Sequence, residues 1–161
     1  MTDNVIEKIR QLIKTQIITS QNALKEIKRV YYGDPGVIAA SNMPCICVIP
    51  VEDTTTRRGS RYDNLNGNIT IKVVANIKTD LADIDGETVP WTKKVVQIME
   101  KMTNKKFDED TIMGIITSNP TLDGEVQVVN TGAIKYNFEG KRETATYEAS
   151  LDLEFLAVFE R

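Results

Sequence analysis

The sequence predicts an α/β (α+β) chain: a mainly antiparallel β-sheet with an N-terminal and a central amphipathic helix packed on it. Three patterns lead there. Over 147–159 the chain alternates without a break, with Tyr147, Ala149, Leu151, Leu153, Phe155, Ala157 and Phe159 on one face and Glu148, Ser150, Asp152 and Glu154 on the other. Ile69, Ile71, Val73, Ala75 and Ile77 alternate in the same way with Thr70, Lys72, Asn76 and Lys78. Val5, Ile6, Ile9, Leu12, Ile13 and Ile17 instead recur every three or four residues, the spacing of one helix face. With 161 residues, 41% of them hydrophobic and 27% charged, the chain is long enough for one self-sufficient core, so a single domain over 1–161 is expected.

The opening helix has Thr2 and Asp3 as candidate caps. Ala23, Leu24, Ile27 and Val30 keep a helical spacing, but Val30-Tyr31-Tyr32 favours strand and ends at Gly33-Asp34-Pro35-Gly36, a turn with its chemistry in place. A helix giving way to a short extended segment is expected. The apolar run 44–51, bounded by Pro44 and Pro50, then pairs with the alternating strand over 69–77. Between them 52–68 is expected to be a long polar loop. An acidic linker over 80–88 leads to Pro90, which opens a helix with Trp91, Val95, Ile98, Met99 and Met102 on its core face. A short helix is expected over 111–116, strands over 125–129 and 133–138, and a turn at Gly140-Lys141-Arg142 into the long last strand. That strand exceeds the about 5 to 6 residues of ordinary strands, and its polar face turns apolar at Leu156 and Val158, so cover on both sides is expected there.

Twenty basic and 23 acidic residues leave a net charge of -3, which offers no bulk attraction to nucleic acid or an anionic membrane. No apolar run nears the roughly 20 residues of a membrane span, and Met1-Thr2-Asp3-Asn4 opens no secretory signal, so the protein is expected to stay where it is made. Without histidine, the commonest general base and triad partner is missing, and an enzyme is not expected. Cys45 and Cys47 project the same way from one strand, with α-carbons roughly 6.6 Å apart, and read as buried free thiols. With no other cysteine and no histidine, no structural zinc and no other cofactor is expected. Asp83-Ile84-Asp85-Gly86 falls short of a calcium loop, because Leu81 and Thr92 stand where its first and last acids belong. Arg57, Arg58 and Arg61 are the one concentrated basic cluster. They suit carboxylates or phosphates of a partner, a protein more than a nucleic acid, since only Tyr62 interleaves with them.

The order of elements carries a resemblance. A helix, the segment Val30-Tyr31-Tyr32-Gly33-Asp34-Pro35, the proline-led strand Met43-Pro44-Cys45-Ile46-Cys47-Val48, a polar stretch, the strand Asn68-Ile69-Thr70-Ile71-Lys72-Val73, an acidic linker and a second helix together resemble phage tail terminator proteins of the lambda U type. The chain looks most like those of long-tailed siphophages of the T-five group. The plan matches over about residues 1–103; two added strands and a longer final one distinguish the C-terminal third. The resemblance implies a tail-terminator-like structural virion protein that closes into a hexameric ring on the head-proximal end of the tail tube. There it stops tube polymerisation and provides the surface for head attachment. Implied partners are further copies of itself, the tail tube protein, a head-completion protein and the tape measure protein, with DNA passing through the lumen without specific binding and no membrane involved. The implied location is the virion tail, after assembly in the host cytoplasm. In such a ring Glu148, Asp152 and Glu154 are candidate partners for Arg57, Arg58 or Arg61 of a neighbour. A head-tail connector or tail-completion subunit is an alternative reading, and a small-ligand or nucleic-acid binding domain using 57–62 is a more distant one.

Overall fold

The computed structural model describes residues 1–77, 91–140 and 145–160. Helix α1 (Thr2–Thr19) is followed by a short 3-10 turn, strand β1 (Arg29–Tyr32), a second 3-10 turn and two long strands, β2 (Cys45–Arg57) and β3 (Tyr62–Asn76). Helix α2 (Trp91–Glu100), the two-residue strands β4 (Met102–Thr103) and β5 (Lys106–Phe107) and helix α3 (Ile112–Ser118) come next. Strands β6 (Val128–Gly140) and β7 (Ala145–Glu160) close the chain. The main sheet has the order β1-β2-β3-β7-β6 and is antiparallel except where β1 runs parallel to β2. The fold is therefore α+β, as the alternating and helical periods predict.

One face of the sheet carries the three helices. Val5, Ile6, Ile9 and Ile13 of α1, Val95, Ile98 and Met99 of α2, and Ile112, Ile115 and Ile116 of α3 join Ile46, Val48, Ile69, Ile71, Leu151 and Phe155 in one buried cluster. Each such side chain contributes about 1.5–3 kcal/mol by leaving water. The opposite face holds a smaller cluster of Met43, Cys45, Cys47 and Val74, flanked by Tyr31, Ile38 and Ile49. Both cysteines are buried free thiols; the hydrogen bond with Cys45 and burial push the Cys47 thiol far up. Lys94 lies 4.6 Å from the Trp91 ring centre and pairs with Glu26 at 3.2 Å, tying α2 to the first 3-10 turn. Tyr136 and Tyr147 stack across β6 and β7 at 6.1 Å, and burial beside Glu100 raises the Tyr136 phenol well above its ordinary value.

Several expectations change. Residues 52–68 are not a loop: 52–57 and 62–68 are strand, in register from Glu52↔Asn68 to Arg57↔Asp63. Threonine-rich, alternating polar stretches favour strands, and here each finds a partner. The bulge between Pro50 and Glu52 takes up the one residue that would spoil this register. The segment 23–30 forms only a single 3-10 turn, Ala23–Glu26, before β1. The strands expected over 125–129 and 133–138 are one strand beginning at Val128, continuous through an irregularity between Thr131 and Ile134. Met102 leaves the α2 face and is exposed in β4. Neither Thr2 nor Asp3 caps α1, whose N-cap is Met1, because the Thr2 hydroxyl donates instead to Asp53 at 2.6 Å. Leu156 and Val158 are half-buried on the face away from the helices. The acidic linker, the calcium-like segment and the turn at Lys141-Arg142 lie outside the described residues.

Two glycines are set by close approach. A methyl group on Gly67 would stand 2.3 Å from the Phe155 ring, which lies across the glycine from the neighbouring strand. On Gly114 it would meet the Asp108 carbonyl oxygen, under the turn where Thr111 accepts from the Gly114 N–H at 2.9 Å and caps α3. Gly67→Ala is expected to lower the unfolding free energy by about 1–3 kcal/mol. In urea titration the Gly67→Ala/Phe155→Leu double variant should lose less than the sum of the two single changes; strict additivity would exclude this contact.

Candidate functional site

The arginine cluster sits at the tip of the β2-β3 hairpin. The Arg58 and Gly59 N–H groups both donate to the Tyr62 carbonyl, at 3.1 and 3.2 Å, so four residues reverse the chain tightly. Every residue from Pro50 to Tyr62 is exposed. Arg57 Nε donates to the Gly59 carbonyl at 3.2 Å, and Arg61 Nε meets Glu160 Oε1 at 2.5 Å. Glu160 was outside the expected acidic set; it ends the alternating strand beside Tyr62, its partner in register, and that alternation was the available signal.

The expected acids lie elsewhere. Arg57 shares a row with Asp63 and Phe159 and projects on the helix side, whereas Glu148, Asp152 and Glu154 project on the opposite face. Glu154 shares a row with Asn68 and Glu52, five residues back from Arg57 and so roughly 17 Å along the strand. One subunit therefore does not bring these arginines and acids together. Glu148 is instead held by Lys72 Nζ at 3.2 Å, with Asp34 3.7 Å from the same ammonium. Asp152 accepts from the Thr70 hydroxyl at 3.0 Å. Glu154 is exposed.

The arm has an open edge. β1 pairs with β2 only from Cys45 to Val48, so among the described residues 52–57 pair with β3 on one side and have no strand partner on the other. Strand β6 forms the far edge of the sheet. Beside it, on the face away from the helices, Val128 stands in register with Leu156 and next to Val158. Val51 at the arm base is 62% exposed. Among the described residues no group of three or more metal-binding side chains converges, and no helix is long and apolar enough to cross a membrane. Comparison with protein-family models and with curated proteins finds no match to the chain.

The pair Lys72–Glu148 has a pH signature. Burial lowers the Lys72 pKa, but the Glu148 and Asp34 carboxylates more than offset this, and the net shift is upward. A raised folded-state pKa gives stability that is complete below the unfolded lysine value of about 10.4 and is lost as pH rises through the folded one. Lys72→Met should therefore be less stable than wild type at pH 8, and the gap should narrow as pH rises above about 10.4 in urea titrations. A gap independent of pH would rule out the ion pair as its source. By contrast, Arg61→Ala removes an exposed pair, with side chains 69% and 51% accessible, and should change stability by under about 1 kcal/mol.

Proposed function

We propose that this chain is a structural subunit of the tail-terminator type. Copies close into a ring that caps the head-proximal end of a phage tail tube, stops its growth and offers the surface for head attachment. The observation that carries this reading is the strand-paired β2-β3 arm, which among the described residues has an open strand edge over 52–57 and an arginine tip at 57–61. A closed ring uses one heterologous interface repeatedly, so each subunit must present two different complementary surfaces. An ordered arm with unpaired backbone donors and acceptors suits one side of such an interface, because a neighbour can add to it without first ordering a loop. The Val128, Leu156 and Val158 patch supplies apolar surface at the far side of the same sheet. Self-association here would also protect edges that soluble proteins otherwise shield.

Function in this reading is docking without turnover. Arg57 and Arg58 contact a carboxylate surface of the next subunit or of the tube, with the exposed Glu154 a candidate for such a contact on this chain. Purified protein added to polymerising tail tube protein should give shorter tubes with one capped end in electron micrographs. Arg57→Glu/Arg58→Glu, changed at exposed positions, should fold normally and require at least about tenfold more protein for the same capping, given about 1.4 kcal/mol or more of lost contact. Tubes unchanged in length and ends by the wild-type protein would overturn the proposal.

A further inference from the structure

A groove between α1 and β1 encloses about 550 Å³. We propose that it binds a single-chain anionic amphiphile of the medium-chain carboxylate class. Arg10, Lys14, Lys28 and Arg29 line it, and among the described residues no carboxylate does. In a chain whose net charge is -3 this is a local concentration of positive potential, to which an anionic head group is complementary. Arg10 is already committed: it pairs with Glu7, and its Nε and second terminal nitrogen donate to the Val30 carbonyl at 3.2 and 2.9 Å, which braces the helix against the strand. Lys14, Lys28 and Arg29 take part in no ion pair among the described residues, and Arg29 donates to the neighbouring Lys28 carbonyl at 3.4 Å. These three are the cations open to a ligand.

The groove is cationic toward one end and apolar at the other. Arg10 on the Val30 carbonyl fixes where helix and strand meet. Ile17 and Ile18 line the groove two turns further along α1, roughly 11 Å from Arg10 along the helix axis, with Lys14 between. On the strand side Arg29 and Lys28 lead back from Val30 to Ile27, which lines the same groove. Charge therefore gathers toward the Val30 end, and three isoleucines form the other. Ile18 is 84% exposed, away from the buried stripe of α1, and an acyl chain lying along it would take apolar surface of both partners out of water. A ligand that joins a negative head to an apolar tail satisfies both ends at once, whereas a purely ionic ligand such as a nucleic-acid backbone leaves the isoleucines uncovered. The volume falls within the roughly 300–1,000 Å³ of small-molecule sites.

This inference does not depend on the tail reading and is tested on the purified full chain. Monomeric sodium decanoate, titrated calorimetrically below its micelle concentration, should bind saturably at one site per chain. Affinity should be at least tenfold lower for butanoate, which keeps the head and shortens the tail, and at least tenfold lower for decyltrimethylammonium, which keeps the tail and reverses the charge. Lys14→Glu/Arg29→Glu should weaken decanoate binding at least tenfold. Circular dichroism checks the variant's fold; should it unfold, Ile18→Asp, at an exposed position, provides the second variant and should weaken decanoate binding to the same extent. Absence of saturable decanoate binding, equal affinity for either control ligand, equal affinity of a folded variant, or binding to anionic phospholipid vesicles without binding of monomeric decanoate would each overturn the proposal.

Discussion

The pairing of β3 with β7 is the constraint on which the rest of the molecule depends. It runs unbroken from Tyr62↔Glu160 to Asn76↔Thr146, and these two strands are the inner pair between β2 and β6. Because side chains alternate strictly along a strand, this one register decides which residues of both strands enter the core and which meet water. A slip by one residue would place Lys72, Asp152 and Glu148 under the helices and put Ile71, Leu151 and Phe155 in solvent. The register also sets Phe155 against Gly67, where no other side chain fits beneath the ring. The same pairing carries the hairpin arm: 62–68 are held by β7 on one side and by 52–57 on the other, so the tip is fixed relative to the core.

Three helices on one face leave the two faces of the sheet with different tasks. The helix side holds nearly all the buried aliphatic surface. Among the described residues, the other side has the Met43, Cys45, Cys47 and Val74 cluster, a lysine held between Asp34 and Glu148, and further along the strands a polar surface with Val128, Leu156 and Val158 at one end. Polar side chains on this face that already have partners are poorly placed to supply contacts elsewhere, since a neighbour would have to displace Lys72 from Glu148 or Thr70 from Asp152. Among the described residues, surfaces with fewer such commitments are the arm edge over 52–57 and Glu154, whereas at the tip Arg61 is already held by Glu160. The arm edge lies at the rim of the sheet, where backbone hydrogen bonding is incomplete by construction, while Glu154 projects from the inner strand β7.

How much was legible in the sequence follows from the range of the forces involved. The stripe Val5, Ile6, Ile9 and Ile13 and the alternation from Tyr147 to Phe159 are local records of one buried face, and both elements formed where the periods predict. The arginine cluster was visible as a cluster, but its setting was not. Residues 52–57 read as loop because they carry no apolar alternation; they are strand because β3 stands beside them and accepts their backbone bonds. The gap between 125–129 and 133–138 appeared as an interruption because an irregularity breaks the side-chain period without breaking the ladder. Met102, apolar and in phase with α2, lies outside the core because the helix ends at Glu100 and the chain turns into β4.

The sequence by itself determined the fold class, the inward faces of the long strands and of α1, the burial of Cys45 and Cys47, and the exposure of the arginine tip. Each follows from the transfer of local side chains between water and a core, which period and composition record directly. Only the tertiary structure decided the strand order, the pairing of 52–57 with 63–68 into a hairpin arm, and the pairing of Arg61 with Glu160 and of Glu148 with Lys72. The bracing of α1 against β1 by Arg10 on the Val30 carbonyl was also decided there. Those depend on contacts between residues far apart in the chain, such as Arg61 and Glu160, which no local pattern specifies and which exist only once β3 and β7 have found their register.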